Sequence, residues 1–170
     1  MQRLKWIERD FKFDYPPTMA AVFIARLKGS IPRIYHIVNT YSGEQLSYKR
    51  DANKWSVKEE IGHLHDLEEL HMGRLKDFRD KVDMLRPADM SNKKTEDANH
   101  NSMSGATLAE LFESSRQMLL KEIMEFDEKD YGYAILHPRL NKPMRLVDVF
   151  YFTAEHDDHH ITNMYDILGY

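Results

Sequence analysis

His156 and His160 stand four residues apart near the C-terminal end of the chain, within Glu155-His156-Asp157-Asp158-His159-His160. On a helix this spacing stacks two imidazoles on one face, roughly 6 Å apart at Cβ, which suits convergence on one ion at about 2.0–2.1 Å. His159 lies about 60° round the helix from His156 and about 100° from His160, so it flanks or supports the pair. Phe150, Thr153, Met164 and Leu168 mark the apolar face of the same segment, with His156 and His160 between them. Imidazoles turned inward need partners. Taken alone, the pair also describes hydrogen-bonded core histidines, or solvated ones if the face is misplaced.

His63 is the candidate third ligand, because it sits inside another helical stripe beside Leu64 and Leu67. Three histidines from two helices leave an ion such as zinc an open position, as in catalytic sites. That position can hold water or a thiolate. His65 points almost opposite to His63, and His71 lies about 12 Å farther along the axis, so neither shares an ion with it. His36, His100 and His137 stand alone and read as structural or solvated. Glu59 and Glu60, one turn before His63, could orient an imidazole or serve as a cap and a solvated charge. Asp157 and Asp158 could receive the second N–H of a ligand or face water. Trp55 fits a hydrophobic staple.

Four long amphipathic segments must position these residues, and their periodicity predicts an all-α domain, most simply a four-helix bundle. Tyr15-Pro16-Pro17 closes an extended lead-in, and the first helix runs from Thr18 to about Thr40, kinked or broken near Gly29-Ser30-Ile31-Pro32. After a loop from Tyr41 to Lys54, the capping box Ser56-Val57-Lys58-Glu59 opens a helix to about Asp80. Residues 86–105 form a long polar loop, functional or mobile. Thr107-Leu108-Ala109-Glu110 caps a third helix, Tyr131 to Pro143 is loop, and a fourth helix runs from about Arg145 to a stop at Gly169. The connections are long enough that some cross the bundle.

The 170 residues suit one domain, 1–170. A hydrophobic fraction of 42% with 31% charged residues is that of a soluble globular protein. The net charge of −4 without a basic patch argues against nucleic-acid binding. No apolar run spans a bilayer, and Met1-Gln2-Arg3-Leu4-Lys5-Trp6 begins no signal peptide, so no membrane partner is expected and the cytoplasm is the expected location. Zero cysteines exclude disulfides, iron–sulfur clusters and a protein thiol nucleophile. Any thiol chemistry must use a thiol brought by a small molecule.

Two stretches carry a family likeness. Lys54-Trp55-Ser56-Val57-Lys58-Glu59-Glu60-Ile61-Gly62-His63-Leu64 resembles the "WS-x-x-E-x-x-x-HL" stretch of DinB/YfiT-like proteins, and Ala154-Glu155-His156-Asp157-Asp158-His159-His160-Ile161 resembles their "EHDxHH" motif. Arg26-Leu27 with Pro32, and His137-Pro138, fit as well. The resemblance implies a four-helix bundle, often a homodimer, holding a divalent transition metal, commonly zinc or nickel, on His63, His156 and His160. It further implies a small-molecule substrate and a metal-dependent thiol S-transferase using a low-molecular-weight thiol as co-substrate. The alternatives are a hydrolase using metal-bound water and a non-catalytic metal-binding stress-response dimer.

Overall fold

The computed structural model describes residues 4–169; Met1, Gln2 and Arg3, on which part of the signal-peptide expectation falls, lie outside it with Tyr170. Four long helices dominate: α1 (Ala20–Thr40), α3 (Val57–Asp80), α5 (Gly105–Met124) and α6 (Leu146–Leu168), with short helices α2 (Gly43–Ser47) and α4 (Lys93–Asp97) in the connections. A small antiparallel hairpin, β1 (Ala134–His137) with β2 (Lys142–Arg145), precedes α6. The architecture is thus a mostly helical four-helix bundle with one hairpin.

Around the bundle, α1 and α3 each pack against both α5 and α6. The connections from α1 to α3 and from α5 to α6 therefore cross between diagonal corners, as their length suggests. Two apolar clusters fill the interior. One joins Phe23, Leu27, Leu75, Leu119, Ile123 and Phe150 near the hairpin, and the other joins Ile34, Ile37, Ile61, Leu64, Phe112 and Ile161 at the opposite end.

The helix boundaries follow local chemistry. Ser56 Oγ accepts the Glu59 N–H at 3.2 Å while Glu59 returns a carboxylate oxygen to the Ser56 N–H at 2.8 Å, the reciprocal cap read in the sequence. α6 ends where Gly169 turns left-handed at φ 96°. α1, in contrast, runs through Gly29 and Pro32 as a single unbroken helix. Pro32 is exposed while Leu27, Ile31 and Ile34 are buried, so packing of that face outweighs the roughly 3 kcal/mol that an internal proline costs.

Three expectations need correction. α5 starts three residues early, capped by Ser104, whose Oγ accepts the Thr107 N–H at 3.0 Å. Gly105 opens it because a Cβ there would lie 2.8 Å from Leu46 of α2. The stretch from Tyr131 to Pro143 contains β1 and the start of β2, and the loop from Tyr41 to Lys54 contains α2. The lead-in packs onto the bundle: Phe11 is buried, and the Trp6 ring lies 4.9 Å from those of Phe11 and Phe152.

Candidate metal centre

α3 and α6 lie side by side and bring His63, His156 and His160 together, all three buried. One ring nitrogen from each falls within 4.8 Å of the others. His156 Nε2 and His160 Nε2 are 3.0 Å apart, about the separation that two ligands of one ion at ~2.1 Å require.

The neighbours select which nitrogen each ring offers. His63 Nδ1 lies 3.1 Å from Thr95 Oγ1, and Thr95 in turn donates its hydroxyl proton to Asp66 Oδ2 at 3.0 Å. The Thr95 oxygen therefore accepts from His63 Nδ1–H, leaving the His63 Nε2 lone pair free to ligate. His100 Nε2 meets the same Asp66 oxygen at 2.9 Å. Across the site, His160 Nδ1 donates to Glu60 Oε2, so Nε2 is the nitrogen it presents to the other two rings. His156 Nδ1 is buried without a hydrogen-bond partner, and its ring meets Trp6 edge-on at 4.9 Å.

Burial sets the charge state. His63 is pushed down to about 3, first by burial and then by the neighbouring His160, and His156 is held well below the ordinary imidazole value by burial and then by His160 and His63. Both are neutral near pH 7, as ligation requires. Three converging imidazoles, two of them anchored through their second nitrogens, fit a divalent transition metal, and nothing in the set selects zinc over nickel.

The triad opens into a cavity of about 520 Å³, within the usual range of small-molecule pockets. Trp6, Trp55, Leu67, Leu70 and Phe152 give it apolar walls. Pro87, Ala88, Met90 and Asn92 form another side, so the long polar loop is a structured wall carrying α4 and Thr95.

The remaining sequence candidates divide. Glu60 orients His160, whereas Glu59 caps α3. Asp157 and Asp158 turn away from the triad: Asp157 pairs with Arg116 and Ser30, and Asp158 with Arg26 and Arg33. His159 flanks the cavity, its Nδ1 accepting from Arg9 Nη2 at 3.3 Å. His65 pairs with Ser115 at 3.0 Å, and His36 is exposed. His100, expected to stand alone, instead supports Asp66. Trp55 is no staple, since the fourth residue of α3 is Glu60; its ring lies 4.6 Å from that of His63 and 6.1 Å from that of His160. Thr95 and Asp66 carried no signal of their own in the sequence; only the polar character of loop 86–105 hinted at Thr95.

The sequence matches the family description "DinB superfamily" over residues 26–164. The chain belongs to the DinB superfamily. No curated protein matches it. Among solved structures, this DinB-superfamily chain is similar to YfiT from Bacillus subtilis, described as "a probable metal-dependent hydrolase with an unusual four-helix bundle topology", with TM-score 0.77 and 15% identity over 94% of this chain and 91% of that one. It is also similar to a mycothiol-dependent maleylpyruvate isomerase, with TM-score 0.69 and 11% identity over 91% of this chain. It spans 63% of that second chain. At these identities the likeness establishes the fold.

Proposed function

We propose that this DinB-superfamily protein is a metal-dependent enzyme that transfers a low-molecular-weight thiol to a small electrophile. The observation that carries the reading is a buried triad of histidines lining an apolar-walled cavity, in a chain with no cysteine. A divalent ion held there would supply Lewis acidity at an open position, lowering the pKa of a thiol bound to it.

The chain's own residues supply the rest. Thr95 and Glu60 fix the tautomers of His63 and His160. Trp6, Trp55 and Phe152 exclude water, which strengthens electrostatic interactions at the site. Asp89 is the one carboxylate lining the cavity among the described residues, and its oxygens are occupied by Ser91 and the Lys93 N–H. Glu60 is engaged by His160. Either a thiol or a water at the open position would release its proton with the help of the ion's charge, so the scarcity of lining carboxylates does not choose between them. The likeness to YfiT supports hydrolysis as the second reading, with a water in place of the thiol at the open position.

Metal analysis of the purified protein should find zinc or nickel near one equivalent, lost in His156→Ala. Titrating cobalt-substituted protein with thiols should add a thiolate charge-transfer band. A cobalt spectrum unmoved by any thiol, together with turnover of esters or amides, would replace the transferase reading with hydrolysis.

A further inference from the structure

The cavity runs past the triad to a second cluster of donors. Arg74 lies eleven residues after His63 on α3, roughly 16 Å along the axis at 1.5 Å per residue. It is buried at 3% exposure, yet no carboxylate among the described residues bonds to it: Nε and Nη2 reach only the Arg86 carbonyl, at 3.4 Å, and the nearby Asp77, whose charge acts on it, gives its oxygens to Arg86. Buried guanidinium groups ordinarily have an acidic partner.

His137, at the end of β1, lines the same cavity with 2% exposure. Its Nδ1 accepts the Leu140 N–H at 3.2 Å, so the ring proton of the neutral form sits on Nε2. That nitrogen is buried without a partner among the described residues. Arg139, exposed in the hairpin turn, lines the cavity beside it. Burial, then Arg74, then Arg139 push His137 down to about 4, so both guanidinium groups act on this ring. Asp89, the one lining acid, is turned into its own loop by Ser91 and Lys93.

We propose that Arg74, His137 and Arg139 form an anion subsite, and that the molecule bound across the cavity carries a carboxylate at the end away from the imidazole triad. A guanidinium edge and one imidazole N–H match the two oxygens of a planar carboxylate. The apolar walls between the two ends would hold the connecting carbon frame. This assignment rests on the functional reading above only in placing the reacting group of that molecule at the triad.

The two tryptophans of the chain, Trp6 and Trp55, both line the cavity, so their fluorescence reports its occupancy. Purified full-length protein, with its metal content measured on the same sample, is titrated with 4-phenylbutyrate and with uncharged 4-phenylbutan-1-ol. The acid should bind at least tenfold more tightly. Arg74→Gln should abolish that preference, and Arg139→Gln, at an exposed position that leaves folding intact, should reduce it severalfold. Both variants should keep wild-type metal content and cobalt spectrum. Equal binding of acid and alcohol overturns the subsite, as does a preference surviving in both variants, which would place the carboxylate on the metal. Failure of the metal reading shows separately, as absent metal in a protein that still prefers the acid.

Discussion

At the scale of single residues, the site depends as much on what stands behind the imidazoles as on the imidazoles. Gly62 shows this. A Cβ there would lie 2.3 Å from the His100 ring, so only glycine lets that ring pack against α3 and reach Asp66. Gly62→Ala should displace His100, loosen Asp66 and Thr95, and weaken metal binding by about 10–100-fold, the usual cost of losing such support. Competition with a chromogenic chelator measures this. Gly29→Ala is the control: nothing lies within 4 Å of the added methyl, so metal affinity should be unchanged, and stability should rise by about 0.5–1 kcal/mol as for glycine replaced within a helix. Thr95→Val tests the same line one bond closer to His63 and should also lower metal affinity without unfolding the protein.

At the scale of elements, the hairpin presents His137 and Arg139 to the cavity, and its turn depends on Asn141, which is left-handed at φ 50°. Asparagine tolerates that region and β-branched residues do not. Asn141→Val should cost about 1–2 kcal/mol in urea denaturation, whereas Asn141→Gly should be nearly neutral. This hairpin was illegible in the sequence because each strand has four residues and Pro143 stands inside one, which ordinarily argues against a strand. The long helices were legible because burial imposes their period: Val57, Ile61 and Leu64 repeat where α3 meets the core. The capping boxes were less reliable. The one at Ser56 forms, while that at Thr107 loses to Ser104 because Gly105 looks like a breaker until Leu46 and Val38 are seen against it. The imidazole triad could be anticipated from spacing and family likeness, but the Thr95–Asp66–His100 support could not, since it joins a loop to α3 through polar residues that no period marks.

For the whole molecule, one buried cation links all four long helices. Arg116 of α5 pairs with Glu68 of α3 and Asp157 of α6 at 2.5 Å each, and donates to the Leu27 carbonyl of α1 at 3.2 Å. Asp157→Asn removes one of the two carboxylates facing a fully buried guanidinium and leaves Glu68, so it should cost about 1.5–3 kcal/mol, read as a drop in the urea midpoint. Burial pushes Glu68 up to about 7 in spite of Arg116. A carboxyl raised in the fold favours the native state at low pH, and this contribution is lost as pH rises from about 4.5 to 7. The histidines act oppositely. The unfolded chain protonates His63 near 6.5 while the fold resists down to about 3, so stability falls as pH drops through that window, by at most about 1.4 kcal/mol per pH unit for this ring. His71 and His156, held low mainly by burial, add to the same slope. Three rings outweigh one carboxyl, so metal-free protein should lose stability steadily from pH 6.5 to 4.5, as urea midpoints across that range will show.

The diagonal crossings bear on how the chain reaches this state. His63 and His156 lie more than ninety residues apart in sequence, and α3 meets α6 only after the intervening loop, α5 and the hairpin have been laid down. Contacts of such separation close late, after a large loss of chain entropy. An ion joining α3 to α6 would thus act as a latch on the last docking step. Interactions formed after the transition state slow unfolding and leave the folding rate nearly untouched, so stripping the metal should shorten the lifetime of the native state while refolding proceeds at much the same pace.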